Sequence, residues 1–296
     1  MIIVIVGPTG VGKTKLSVEL AKKLNGEIIN GDSTQVYKTL DIATAKVTLK
    51  EKENIPHHLF DIKDITEDYT VYDYQKDCRY YINDILARKK TPIIVGGTGL
   101  YIKAALYDYE FENETKHNDY SNYSNEELYN KALEIDSNIN IHKNNRKRIE
   151  RFLDYYLNNN ESLNNKKKSE NLLYKDVIFI GLTTSRDILY DRLNKRVDQM
   201  FENGLMNEVK RIYESNIRTK AVLTPIGYKE LFPYLEGKET LENCIEEMKK
   251  RTRKYAKRQY TWFNHQVKVN WFNVNFDNFN ETIEEVYNFL NKNYDY

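Results

Sequence analysis

The residues Gly7-Pro8-Thr9-Gly10-Val11-Gly12-Lys13-Thr14 match the pattern G-x-x-x-x-G-K-[ST] in full. Each residue type has a chemical use. Gly7, Gly10 and Gly12 can adopt dihedrals closed to other residues, which leaves room for phosphate oxygens. The loop amides and a following helix N-terminus present partial positive charge to an anion. Lys13 adds a full charge, and the Thr14 hydroxyl can join the shell of a Mg²⁺ ion. The pattern predicts a cradle for a diphosphate or triphosphate. It does not choose a reaction, and kinases are its commoner owners.

Two further segments carry candidate chemistry. Gly31-Asp32-Ser33-Thr34-Gln35-Val36-Tyr37 follows a short apolar run, and Gly96-Gly97-Thr98-Gly99-Leu100-Tyr101 follows another. Polar or glycine-rich turns directly after strands sit where open α/β sheets place ligands. The second glycine junction is expected to line the same crevice as the first. Asp32 offers a carboxylate for proton transfer; its competing use is as a loop cap. His57 and His58 invite a metal reading. Adjacent residues point in different directions, however, and partner ligands at useful spacing are missing, so a structural role is expected.

The elements that must hold these loops are legible from patterning. Ile2–Val6 is a continuous β-branched run suited to a buried parallel strand, and Leu16, Leu20, Ala21 and Leu24 then recur at helical spacing. Strands are predicted over Glu27–Asn30, Pro92–Val95 and Val177–Leu182. A helix over residues 71–88 turns Tyr74, Cys78, Tyr81, Ile82 and Ile85 inward. Ser185 is expected to cap a helix with Ile188, Leu189, Leu193 and Val197 inward and Arg186, Arg192 and Arg196 polar. Thr224–Glu230 is expected to open a short helical unit. The predicted fold class is α/β, a P-loop NTPase-like parallel sheet flanked by helices.

Composition shifts sharply at residues 108–171, which contain no glycine or proline and are rich in Asn, Glu, Lys, Tyr and Ser. Helical patterns appear around Glu126–Glu134 and Asn145–Leu157, and residues 158–170 read as a polar linker. The expected organisation is a core of 1–107 and 172–296 interrupted by a small all-helical insertion, 108–171, with a basic helix near the C-terminus.

With a net charge of +1, the chain exerts no global pull on nucleic acid, so any basic surface is local. Two such concentrations exist. Lys143–Arg151 holds Lys143, Arg146, Lys147, Arg148 and Arg151 against Glu150 alone, and Lys249–Arg258 holds seven Lys or Arg residues and no acid. They suit a polyanion track or, as most charge runs do, a solvated helix face. In the second, Lys250, Lys254, Lys257 and Arg258 share one face, while Met248, Tyr255 and Trp262 share another that is expected on the core. Two cysteines, Cys78 and Cys244, support neither a disulfide framework nor a Cys-based zinc site. No apolar run reaches the ~20 residues needed to span a bilayer. The N-terminal run reads as a strand, not a signal peptide, so a cytoplasmic location is expected.

Together these motifs resemble the tRNA dimethylallyltransferases, also called tRNA isopentenyltransferases, over almost the whole chain. The resemblance rests on Gly7–Thr14, Asp32-Ser33 with Gln35 and Tyr37, and Asp41–Lys46. It continues through Pro56–Leu59 with Asp61-Ile62, then Pro92 with Val95–Tyr101, and Ile141-His142 with Asn144 and Arg148. The last matches are Arg196–Asp198 with Met200, Gly204-Leu205 with Glu208-Val209, Gly227–Glu230, and Thr252-Arg253 with Ala256–Gln259 and Thr261–Phe263. The family usually has Gly at position 43, Pro at 47 and 143, and Asp at 145, where this chain has Ala43, Val47, Lys143 and Asn145.

The resemblance implies transfer of a dimethylallyl group from its diphosphate to the exocyclic amine of the adenosine 3′-adjacent to the anticodon of tRNA. It implies Asp32, Thr14 and Arg196 as catalytic residues and Gly7–Thr14 as the diphosphate site. Mg²⁺ would be held at Thr14. Asp32, Ser33, Thr34, Gln35 and Thr98 would contact the extruded base region, and Lys147, Arg148 and Arg151 the anticodon stem-loop. Arg192 lies one turn from Arg196, and the resemblance selects Arg196. A bacterial-type enzyme is implied, and nothing in the sequence calls for an oligomer. Three rivals share parts of this pattern. A free-nucleotide prenyltransferase needs no stem-loop clamp, and a small-molecule kinase needs an arginine lid. A non-catalytic RNA-binding ATPase leaves Asp32–Gln35 beside a second glycine loop unexplained.

Overall fold

The structure, a computed structural model, describes residues 1–111, 117–163 and 171–293. The chain forms two compact units, Met1–Tyr107 with Leu172–Tyr296, and Asp108–Asn171. In the larger unit six strands make one sheet: β1 Ile2–Val6, β2 Gly26–Asn30, β3 His57–His58, β4 Thr91–Val95, β5 Val177–Thr183 and β6 Asn270–Asn273. Their order is β3-β2-β4-β1-β5-β6, and each neighbouring pair is parallel.

Strand alternation divides the apolar side chains between two cores. Val4, Val6, Ile29 and Ile94 face one, and Ile3, Ile5, Ile28 and Ile93 face the other. The first core takes Tyr74, Cys78, Ile82 and Ile85 from helix Val71–Ala87, and Ile102 and Ala105 from helix Gly99–Leu106. The second takes Leu16, Leu20 and Ala21 from helix Lys13–Lys23, and Ile283, Val286 and Leu290 from helix Phe279–Asn293. Each of the Leu, Ile and Val side chains taken fully out of water contributes about 1.5–3 kcal/mol before entropy is counted.

Because β2, β4 and β1 are neighbours, the loops leaving their carboxyl ends open side by side. Asn30 is in register with Val95, and Gly31 N–H donates to Val95 O at 2.7 Å. Gly31 and Gly96 therefore touch backbone to backbone. A Cβ on Gly96 would lie 2.1 Å from the Gly31 carbonyl carbon, so glycine is required there.

The smaller unit packs helix Asn125–Ile135 on helix Arg146–Asn159 through Leu128, Ala132, Ile149, Phe152 and Leu153. Ser124 and Glu127 form a full capping box at its first helix. Buried Asp154 accepts hydrogen bonds from the Asn118 amide groups and Tyr120 Oη, and pairs with His117 Nδ1. Burial alone would raise its pKa, but the bonds from Asn118, His117 and Tyr120 outweigh burial and hold it below the usual range.

Four sequence expectations differ in detail. Ile188 is 49% exposed, because the helix Arg186–Glu202 turns only Leu189, Leu193 and Val197 inward. Ser185 occupies that helix's N-cap without a side-chain cap bond. Residues 224–230 form turns between the short helices Lys220–Leu223 and Phe232–Leu235; Gly227 takes φ 131°, outside the helical region. Tyr81 is half-buried and stacks on His58. Residues 164–170 of the expected polar linker lie outside the described residues.

Candidate active site

Two adjoining cavities open at the carboxyl ends of β1, β2 and β4. The polar one, of about 390 Å³, is lined by Thr9, Gly10, Gly12, Lys13 and Thr14 of the glycine loop, with Arg192, Arg196 and Gln259 among the others. The second, of about 340 Å³, has a largely apolar wall that includes Leu193, Val197, Met200, Ile226, Met248 and Tyr255. Thr9, Asp32, Thr44, Ala45, Gly97 and Arg196 line both cavities and so mark their junction.

The glycine loop is shaped as its sequence requires. Gly7, Gly10 and Gly12 have φ of 131°, 87° and 94°. Gly12 is the N-cap of helix Lys13–Lys23 and supplies no side chain to its first amides, which leaves that end suited to an anion. Lys13 Nζ folds back onto the Gly7 and Pro8 carbonyls at 2.9 and 2.7 Å. Burial, with help from the Arg196 charge and against that of Asp32, lowers the Lys13 pKa to about 7. Thr14 is exposed on the polar cavity. Pro8 and Val11 are buried behind the loop, so they can contribute to a ligand only through their backbone.

Arg196 approaches from helix Arg186–Glu202, and its Nη1 donates to Thr9 Oγ1 at 2.9 Å. Burial lowers its pKa, opposed by the charges of Glu51 and Asp32. Arg192, one turn earlier, is exposed and stacks over the Phe276 ring at 3.7 Å. The residues Leu193, Arg196, Val197 and Met200 follow i, i+3, i+4, i+7 spacing, which is why one helix face supplies both a cation and an apolar wall.

Asp32 stands at the junction. Its Oδ1 accepts from Thr34 N at 2.9 Å and Thr34 Oγ1 at 2.7 Å, and its own N–H donates to Asn30 Oδ1. Ser33 N–H donates to Thr98 Oγ1 at 3.0 Å, tying the loop after β2 to the loop after β4. Gln35 is turned to another use: its Nε2 donates to the Thr44 and Ala45 carbonyls. It still lines the polar cavity.

The strap Asp41–Ala45 is fixed from beneath by a buried carboxylate. Glu208 accepts from the successive amides of Asp41, Ile42 and Ala43 and from Tyr228 Oη, all within 2.8–3.2 Å. Ala43 is not at positive φ, so its backbone does not require the family's glycine. Burial raises the Tyr228 pKa, and the Glu208 charge adds to the rise.

Gln259 lies in the motif Ala256–Gln259, which by itself indicates no role for it. It is 4% exposed on helix Leu241–Gln266; Oε1 accepts from Thr9 N–H at 2.9 Å, and Nε2 donates to Gly97 O at 3.2 Å. The signal was present: Met248, Thr252, Tyr255, Gln259 and Trp262 recur at alternating steps of four and three. Tyr255, expected on the core, is half-buried and lines the apolar cavity. Burial raises its phenol pKa, the nearby Asp32 charge adds to this, and bonds from Thr98 and Gln259 oppose it.

The second basic run is partly neutralised. Lys249 pairs with Asp198 at 2.8 Å, Arg251 with Glu247 and Glu230, and Lys250 with Glu247. Lys250, Lys254, Lys257 and Arg258 all stay exposed, and Arg258 also lines the apolar cavity. In the smaller unit, Lys147, Arg148 and Arg151 lie on the exposed face of helix Arg146–Asn159. Arg146 is spent internally on the Tyr120 and Tyr123 carbonyls. His57 Nδ1 bonds the Ile55 carbonyl and His58 Nε2 pairs with Glu27, on the edge strand β3. Among the described residues no helix is long and apolar enough to cross a membrane.

A parallel sheet with a P-loop-type glycine turn after its central strand defines a P-loop-type α/β protein, here with a polar cavity adjoining an apolar one. Residues 35–266 match a family model described as IPP transferase, and the chain belongs to that family. It is 47% identical to the tRNA dimethylallyltransferase of Anoxybacillus flavithermus, over 98% of this chain and 96% of that one. The tRNA isopentenylpyrophosphate transferase of Bacillus halodurans superposes with a TM-score of 0.76 at 42% identity, covering 98% and 95% of the two chains. A eukaryotic dimethylallyltransferase solved acting on tRNA superposes at 0.79 with 36% identity, covering 92% of this chain and 73% of that one.

Proposed function

We propose that this enzyme transfers a dimethylallyl group from dimethylallyl diphosphate to the N6 amine of the tRNA adenosine 3′-adjacent to the anticodon. The observation that carries the reading is the junction of an anion cradle with an apolar cavity at Thr9, Asp32 and Arg196. A prenyl diphosphate has that same division: a charged leaving group joined to a small apolar group.

In the reaction the amine nitrogen forms a bond to the allylic C1. The C1–O bond breaks and its electron pair leaves with pyrophosphate. The amine proton passes to Asp32, which lines both cavities. Lys13, the loop amides and Arg196 face the oxygens on which charge develops. The Lys13 ammonium donates to the Gly7 and Pro8 carbonyls, which leaves one of its three hydrogens for a diphosphate oxygen. Thr98 and Ser33 brace the Asp32 loop, and the extruded base would stack or bond there. The exposed cations of the insertion helix, Lys147, Arg148 and Arg151, suit the stem-loop backbone.

Mg²⁺ fits the donor set. The Thr14 hydroxyl faces the polar cavity, and no cluster of three His, Cys, Asp or Glu side chains occurs among the described residues. That suits an ion held mainly by water and diphosphate oxygens with one protein hydroxyl. When bound, it would neutralise charge on the leaving group. A tRNA substrate is consistent with action in the cytoplasm, and the reading calls for no second subunit.

The test is mass analysis of an anticodon stem-loop incubated with the protein, dimethylallyl diphosphate and Mg²⁺. A gain of one dimethylallyl group on the adenosine is expected. An unmodified stem-loop alongside prenylated adenosine monophosphate would overturn the tRNA assignment.

A further inference from the structure

The two loops that must cooperate in this reaction are joined by one side chain. Gln259 accepts from the Thr9 amide and donates to the Gly97 carbonyl. Thr9 is in turn bonded to Arg196, while Thr98, next to Gly97, holds Ser33 beside Asp32. A hydrogen-bonded chain thus runs from the loop of the proton acceptor to the arginine on the leaving-group side, with Gln259 at its centre. The fit allows no slack: a Cβ on Gly97 would sit 1.8 Å from Gln259 Nε2. A Cβ on Gly99, two residues on, would sit 2.2 Å from the Trp262 ring of the same helix.

We propose that Gln259 is a positioning residue that sets the separation of the phosphate loop and the Gly97–Thr98 loop. It thereby holds diphosphate and amine at reacting distance. The proposal rests on the prenyl-transfer reading above. Gln259 is uncharged and lines the polar cavity, and its amide has one donor and one acceptor correctly oriented for the two loops. A leucine could fill the volume but could not hold the register. A glutamate keeps the acceptor for Thr9 N–H but sets a carboxylate against the Gly97 carbonyl.

The experiment uses Gln259→Glu and Gln259→Met in the full chain, each first checked for cooperative thermal unfolding. Displacements of an ångström in reacting geometry cost up to ~100-fold, so kcat is expected to fall roughly 10-fold in the first and roughly 100-fold in the second, with KM for both substrates within about threefold of wild type. Hydrogen–deuterium exchange is expected to speed up in peptides spanning 7–14 and 96–102 together, and nowhere else. Unchanged kcat, a loss lying wholly in KM, or exchange that rises throughout the chain or in neither loop would overturn the proposal. Should the wild type fail to prenylate the stem-loop, the functional reading fails, and the exchange measurement still decides whether Gln259 couples the loops.

Discussion

The guanidinium of Arg196 meets the hydroxyl of Thr9 at 2.9 Å, so the helix that walls the apolar cavity is bonded to the middle of the phosphate loop. Charge developing on the leaving group would appear beside this contact. Arg196→Lys keeps the charge but loses the planar fork and its hold on Thr9. It is expected to lower kcat by ~100-fold, the scale for losing one preorganised donor, with a smaller change in KM for the diphosphate. Steady-state kinetics with a stem-loop substrate reads this directly.

Lys13 is expected to make diphosphate binding dependent on pH. With its pKa lowered to about 7, a good part of the free protein has a neutral lysine at neutral pH. A bound diphosphate favours the ammonium form and raises that pKa, so binding takes up protons above pH 7. Affinity should fall as pH rises through that region, approaching ~10-fold per unit. Calorimetry in buffers of different ionisation enthalpy measures the uptake, and Lys13→Met should abolish the part due to the protein. The same shift affects stability. Between about 7 and 10.5 the unfolded chain binds the proton that the folded chain lacks, so this group's penalty is full below pH 7 and fades as pH rises.

Asp32→Asn removes the proposed proton acceptor while keeping the shape that bonds Thr34. Single-turnover transfer is expected to slow by ~10²–10⁴-fold, the range for general-base catalysis, with tRNA affinity within about threefold. Full activity in this variant would assign the proton to another acceptor.

Glu208 is expected to matter first for stability. Glu208→Ala leaves the Asp41, Ile42 and Ala43 amides and the Tyr228 hydroxyl without their acceptor. The loss should be about 3 kcal/mol, since hydrogen bonds to a buried charge contribute ~1.5–3 each and water replaces part of them. A lowered urea midpoint checks it. Because the strap lines both cavities, KM should rise as well.

Much of this protein is local and was therefore legible. The β-branched run Ile2–Val6, the glycine loop and the Leu16–Leu20 spacing each encode their own element, and all three formed as patterned. Thr224–Glu230 mixes apolar and polar residues with no helical period, and Gly227 at φ 131° bends it into a turn against Ala43. Ile188 faces solvent although it neighbours the buried Leu189, since one helical step turns the side chain by 100°.

The sequence by itself determined the phosphate loop, the parallel α/β class and the family, because these reside in contiguous residues whose types answer to backbone geometry and anion chemistry. Only the tertiary structure decided what meets what. Strand order β2-β4-β1 brought three loops to one edge. Residues about 250 positions apart, Thr9 and Gln259, became partners. Lys13 lost its ordinary basicity through burial. Such facts depend on the distance between elements and on the exclusion of water, and neither is written in any one stretch of the chain.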